Sequence, residues 1–176
     1  MTRPDINSAY LQEARRSLVA HKRLAEGALA QVTDEEFFRR LDMDSNSLAL
    51  LVKHIAGNMR SRWTDFLTTD GEKPDRYREQ EFEDSAVTRA ELMRSWERGW
   101  ELLSSALDSL TPDDLGRTVS IRGEAYSVLK AINVAAMHYA YHAGQIAFLA
   151  KHFRGAEWKS LSVPKHGREK YQPAKL

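Results

Sequence analysis

Two histidines, His138 and His142, stand four residues apart in the run MHYAYHAGQI. On a helix both rings leave the same face, with Cβ atoms about 5–6 Å apart, close enough to close on one cation. The same spacing of imidazoles underlies the HExxH helix of zinc enzymes. Taken alone the pair has a second explanation, two polar residues bordering an apolar helix face. A third imidazole, His54, lies far off in the chain within LLVKHIAGNM. Cysteine is absent, so there is no disulfide framework, zinc ribbon or internal thiol nucleophile. Any metal must sit on nitrogen and oxygen.

About 100° of rotation per residue sets His138 and His142 on one flank of an apolar stripe centred on Ile132, Tyr139 and Ala143, beside Ala131 and Leu149. His54 falls at the edge of its own stripe, next to Leu51 and Asn58 and away from Lys53 and Arg60, which are expected in solvent. Each segment thus offers imidazole from an edge that faces a neighbour. An unsatisfied buried polar group costs about 1–3 kcal/mol, so three converging imidazoles are better explained by a shared metal than by three unrelated core residues. Three neutral nitrogens leave the ion open positions, as catalytic sites do. A water or a substrate thiol held there would be acidified toward neutrality. Zinc, nickel, copper, cobalt and ferrous iron all accept such a donor set.

Other residues carry weaker signals. His21, near Leu18 and Ala25, reads as a core or cleft residue and is the spare histidine that could add a fourth ligand. His152 falls in a last helical turn, where an imidazole suits the negative end of the dipole, and His166 lies in the tail without a partner. Asn58 and Gln145, about one turn beyond His54 and His142, project toward the same region. They would orient the imidazoles, touch a substrate, or make ordinary inter-helix hydrogen bonds. Arg60, Arg62 and Arg122 could meet an anionic substrate or be solvated or paired, and Trp63, Trp96 and Trp100 read as core or interface. No residue is assigned a catalytic role.

The elements that must bring these residues together are helices. Four stretches have helical periodicity, at about 5–31, 45–68, 88–110 and 127–153. The second repeats Leu48, Leu51, Val52, Ile55, Met59, Trp63 and Phe66 at three and four residues. Thr88 followed by Glu91 has the capping-box spacing that opens the third, which should bury Leu92, Trp96, Leu103 and Leu107. The fourth carries Val128, Leu129, Ile132, Ala136, Tyr139, Ala143, Ile146 and Ala150 on its apolar side, with Gly155 as its stop. The polar segment TTDGEKPDRYREQEFEDSA between the second and third is far longer than the roughly two to eight residues that join antiparallel neighbours. It could cross the length of a bundle and leave those helices parallel, giving an all-α, four-helix bundle running up-down-down-up.

Two Thr-started acidic segments, at Thr33–Glu36 and Thr111–Asp114, follow the first and third helices, and a pseudo-two-fold repeat is a reasonable inference. Residues 117–127 should form a small hairpin turning at Arg122 and Gly123. The tail from about 155 to 176, with Pro164, Gly167 and Pro173, should be irregular.

At 176 residues the chain suits one domain, expected over 1–176. Its N-terminus has no apolar run of signal-peptide or bilayer length, and a cytoplasmic protein without membrane partners is expected. Lys and Arg number 26 against 25 for Asp and Glu, with both signs interleaved. Nucleic-acid binding, which needs a one-sided basic footprint, gains no support.

The His54 segment, together with the HxxxHxxQ run at His138, His142 and Gln145, resembles the DinB/YfiT-like metalloenzyme superfamily. KHIAGNMRSRWTDFLTTDGEKP looks like a branch of it whose function is unassigned. The resemblance spans nearly the whole chain. It implies the up-down-down-up bundle, a homodimer, and a zinc- or nickel-type ion on His54, His138 and His142. It also implies kinship with S-transferases and isomerases that use a low-molecular-weight thiol such as bacillithiol or mycothiol. No separate signature for the thiol or its electrophile is readable. Two classes of function follow: a metal-dependent transferase, hydrolase or isomerase acting on a small molecule, or a non-catalytic dimeric stress or developmental protein with a structural metal. A fourth protein ligand would mark the latter.

Overall fold

The computed structural model describes residues 5–163; Pro164, His166, Gly167 and Pro173 lie outside the described residues. α1 (Ile6–Leu29) starts where the Asp5 side chain accepts from the amide of Ser8. α2 (Asp34–Phe38) is little more than one turn, nucleated by a capping box. Thr33 accepts from the Glu36 amide while the Glu36 carboxylate accepts from the Thr33 amide. The matching segment at Thr111 repeats the box with Asp114 and opens a 3-10 turn, Pro112–Gly116. Both acidic segments are therefore capped helical turns, and the first is a short helix where only a turn is expected from sequence.

α3 (Leu48–Trp63) is shorter than the stretch 45–68. Ser47, not Ser45, caps its start by accepting from the Leu50 amide. Its end comes early because Thr64 is extended, with its hydroxyl turned back onto the Arg60 carbonyl at 2.7 Å, and Asp65 takes a positive φ of 48°. Phe66 still enters the core, its ring 4.7 Å from that of Trp63. Lys53 is only half in solvent: its ammonium donates to the carbonyls of Gln80 (2.5 Å) and Glu83 (3.0 Å). That contact pins a 3-10 turn, Arg78–Phe82, onto α3 within the long polar connection.

α4 (Arg89–Ser109) has the Thr88–Glu91 capping box. After it β1 (Thr118–Ile121) and β2 (Glu124–Ser127) pair antiparallel. Arg122 and Gly123 turn between them with φ of 57° and 74°, the two positive angles of a two-residue hairpin. The Asp70 carboxylate fastens this hairpin to the loop after α3. It accepts from the Ser120 hydroxyl and from the amides of Arg122 and Gly123, both at 2.9 Å. α5 (Val128–Arg154) runs from a Ser127 cap to Gly155, whose φ of 53° ends it.

α1 touches α5 near both of their ends: Tyr10 donates to Asn133 at 2.8 Å, and Gln31 donates to the Lys159 carbonyl just past α5 at 3.0 Å. α1 meets α4 through Lys22 and Glu97 at 2.8 Å and through Trp96, whose indole N–H donates to Glu26 at 3.1 Å. α3 presses on α4 where Gly99 leaves room for Met59, 2.9 Å from where a Cβ would stand. The core joins all four long helices, with Leu18, Ile55, Met59, Trp96, Leu107, Ile132 and Ile146 fully buried. Every position expected on the apolar faces of the second and third helices is buried. On α5, Leu129 departs from expectation at 37 % exposed, and Met137, Tyr141 and Phe148 form an outward apolar row. Among the described residues no helix is long and apolar enough to cross a membrane.

Candidate metal centre

α3 and α5 bring His54, His138 and His142 together, one ligand atom from each within 4.8 Å of the others. The three Nε2 atoms face one another, His138 lying 3.2 Å from His54 and 3.1 Å from His142. Metal–imidazole bonds of about 2.0–2.1 Å put two nitrogens about 3.4 Å apart at a tetrahedral angle and about 2.9 Å apart at a right angle. The observed separations fall between these values. His54 and His142 are buried, at 4 % and 5 % exposure.

The far side of two rings decides which nitrogen carries the proton. His54 Nδ1 donates to Glu81 Oε2 at 2.8 Å, and His142 Nδ1 donates to Gln145 Oε1 at 2.7 Å. A carboxylate can only accept, so in its neutral form the His54 ring presents a lone pair at Nε2, and the Gln145 oxygen leaves the neutral His142 ring in the same state. A proton on His138 Nε2 could serve one of the two gaps; a cation serves all three nitrogens. Burial, reinforced by the neighbouring histidines and by Arg62 and Arg76, lowers the pKa of His138 to about 3. Burial lowers that of His142 to about 4. Both are therefore neutral at pH 7, the form that ligates.

Glu81 and its supports are absent from the sequence-based expectations. The residue sits on the 3-10 turn after α3 at 7 % exposure, and Arg76 grips it with two parallel bonds, Nε to Oε1 and Nη2 to Oε2, each 2.8 Å. Burial alone would raise the Glu81 pKa, but the Arg76 and His54 hydrogen bonds outweigh it and lower the value. Arg76 continues to Glu72 at 3.1 Å. This close approach needs Gly57: a Cβ there would lie 2.2 Å from Glu81 Oε1. A glycine inside an apolar helix was the available signal, since it marks a place where something comes near the backbone. Periodicity could not say that the visitor is a carboxylate from 24 residues downstream.

Of the two auxiliary candidates, Gln145 touches a histidine and Asn58 does not. Asn58 Oδ1 accepts from the Tyr139 hydroxyl at 3.0 Å, which itself accepts from the Trp63 indole at 3.0 Å, so Asn58 serves an α3–α5 hydrogen bond. Complete burial raises the Tyr139 pKa to about 12. His21 and His152 are not part of the histidine group. Arg60 is a surface partner of Asp75 at 2.7 Å, Arg122 is exposed and reaches Glu72 at 3.4 Å, and Arg62 is buried. Trp63, Trp96 and Trp100 are all buried in the core.

A cavity of about 570 Å³ opens beside the group, with His54, Asn58 and His138 on its wall together with side chains of the hairpin and of α5. Its size is that of a small-molecule site. Three nitrogens directed at one point, with an adjoining space for a ligand, could hold a divalent ion and leave it reachable. The profile of one protein family, described as a protein of unknown function (DUF1572), matches residues 5–167. No curated protein matches the chain.

Proposed function

Because the chain belongs to the DUF1572 family, whose description assigns no chemistry, we propose its function from the centre itself: it binds one divalent transition metal on His54, His138 and His142 and acts as a metal-dependent enzyme on a small molecule. One observation carries this reading. The three Nε2 atoms converge while the opposite nitrogens of His54 and His142 are committed as donors to Glu81 and Gln145. The donor set suits zinc or nickel. The ion, when bound, would supply Lewis acidity and lower the pKa of a coordinated group.

The chain's own part is to hold the rings aimed, with burial keeping His138 and His142 neutral. Glu81, itself clamped by Arg76, fixes the His54 ring, and Gln145 fixes that of His142. The cavity wall admits a ligand beside His138. With three histidines gathered among the described residues and an open space adjoining, an accessible ion is favoured over the closed, four-ligand arrangement of a structural site. A thiol-dependent S-transferase is the chemistry that the DinB-like resemblance favours. A chain without cysteine would draw its thiolate from a low-molecular-weight thiol cosubstrate.

The helix contacts support the finer architectural reading. α1 meets α5 start to start and end to end. Lys22 and Glu26 of α1 meet Glu97 and Trp96 of α4 in reversed order, and His54 and Asn58 of α3 meet His142 and Tyr139 of α5 in reversed order. That order is what an up-down-down-up four-helix bundle gives. The exposed row Met137, Tyr141 and Phe148 supports a homodimer.

Elemental analysis tests the proposal, on protein purified without a histidine tag and compared with His142→Ala. One equivalent of zinc or nickel, lost on substitution, is expected; equal metal in both would remove the site. An activity found later must vanish on chelation and return with the ion.

A further inference from the structure

The cavity beside the histidines is lined by four arginines, Arg62, Arg76, Arg78 and Arg122, against one carboxylate, Glu124. Three of the four have partners: Arg76 with Glu81 and Glu72, Arg78 with Glu79, and Arg122 with Glu72. Arg62 differs. It is 93 % buried, since 7 % of its surface is exposed, yet it makes no ion pair among the described residues. Its Nε is fully enclosed without an acceptor. Gly71 makes this burial possible, because a Cβ there would stand 2.9 Å from Arg62 Cδ and 3.0 Å from Nε.

A buried guanidinium without a counter-charge is costly, and proteins pair buried charges or use them. Apart from Asn58 and the two histidines, the rest of the wall is apolar or aromatic, with Ile121, Tyr126, Val134, Met137 and Tyr141 among it. We propose that the cavity is a subsite for a small organic anion, a carboxylate, phosphate or sulfonate on an apolar or aromatic body. The planar fork of Arg62 takes the anionic head, and Arg122 closes the rim. The wall shared with His54 and His138 would then bring the ligand's body beside the histidine centre. This names the substrate class of the proposed enzyme and rests on that reading.

Benzenesulfonate, a weak metal ligand, is the probe, and uncharged benzyl alcohol is its control; both are titrated into the zinc-supplemented native chain by calorimetry. Binding of the sulfonate at least tenfold tighter than of the alcohol is expected. Arg62→Gln should weaken sulfonate binding at least tenfold, and Arg60→Gln, a surface change, should leave it unaltered. Should Arg62→Gln fold poorly, Arg62→Lys keeps the charge without the fork and should give intermediate affinity. Equal binding of the two probes by the native chain, or undiminished binding by either Arg62 variant, overturns the inference. Metal content measured on the same samples separates the two readings. Sulfonate preference without stoichiometric metal leaves the anion pocket standing and removes the metal centre, whereas bound metal without sulfonate preference does the reverse.

Discussion

Replacing Glu81 by glutamine probes the centre without touching a ligand. The native carboxylate accepts three bonds at 2.8 Å, one from His54 Nδ1 and two from the Arg76 guanidinium. An amide of the same shape offers one oxygen and one NH2. If the oxygen stays with His54, the NH2 meets an Arg76 donor; if the oxygen serves Arg76, the NH2 meets His54 Nδ1–H. Either way a donor faces a donor. Changes to groups that orient metal ligands lower affinity about 10- to 100-fold, or about 1.4–2.7 kcal/mol. Glu81→Gln should therefore weaken zinc binding by that factor, measured by competition with a chromogenic chelator. A separate loss falls on the fold. Breaking a buried ion pair costs about 3–5 kcal/mol, and because Glu72 still holds Arg76 at 3.1 Å the lower end is expected. Urea unfolding of the chelated protein isolates this second effect. A zinc affinity within twofold of native, in a variant that remains folded while His142→Ala loses the ion, would refute the role given to Glu81.

Three further changes test the supports. Gly57→Ala should destabilise the protein and weaken its metal binding, although alanine is the better helix former by about 1 kcal/mol, because the new Cβ would displace Glu81; a higher melting temperature would contradict the close approach. Tyr139→Phe leaves the Trp63 N–H and Asn58 Oδ1 without their shared partner, so about 1–3 kcal/mol should be lost for each orphaned group, read as a lower urea midpoint. Asp70 has its pKa lowered, first by the Ser120 hydroxyl and then by the Gly123 and Glu72 amides. A depressed folded pKa stabilises above the unfolded value of about 3.9 and loses that contribution as pH falls through the folded one. Asp70→Asn should accordingly be less stable than native at pH 7, with the gap narrowing in strong acid, and a gap that widens toward low pH would reverse the sign of the argument.

What could be read in the sequence was whatever repeats with the helical period or follows local capping chemistry. The long helices, the Thr88–Glu91 box, the Arg122–Gly123 turn and the Gly155 stop all rest on short-range rules, and each is found. The histidines were legible for the same reason: His138 and His142 share a helical face, and His54 sits at the margin of another. Glu81 and Arg76 were not, since they lie in a connection whose backbone follows no period and whose position is set by contacts such as Lys53 with the Gln80 and Glu83 carbonyls. The early end of α3 escaped for a related reason, because Trp63 and Phe66 keep the apolar spacing of a helix while the backbone between them leaves it. The tether on the half-exposed Lys53 is hidden in the same way, because its acceptors come from that same connection.

The empty side of Gly57 also offers a way to recognise other chains built on this plan. A histidine followed three positions later by glycine, with a glutamate about two dozen residues on, adds a further requirement to the pair of imidazoles four apart. A chain with the three histidines but a bulkier residue at that place has no berth for the carboxylate. It would have to orient its first imidazole through a different acceptor, and with it tune its ion differently.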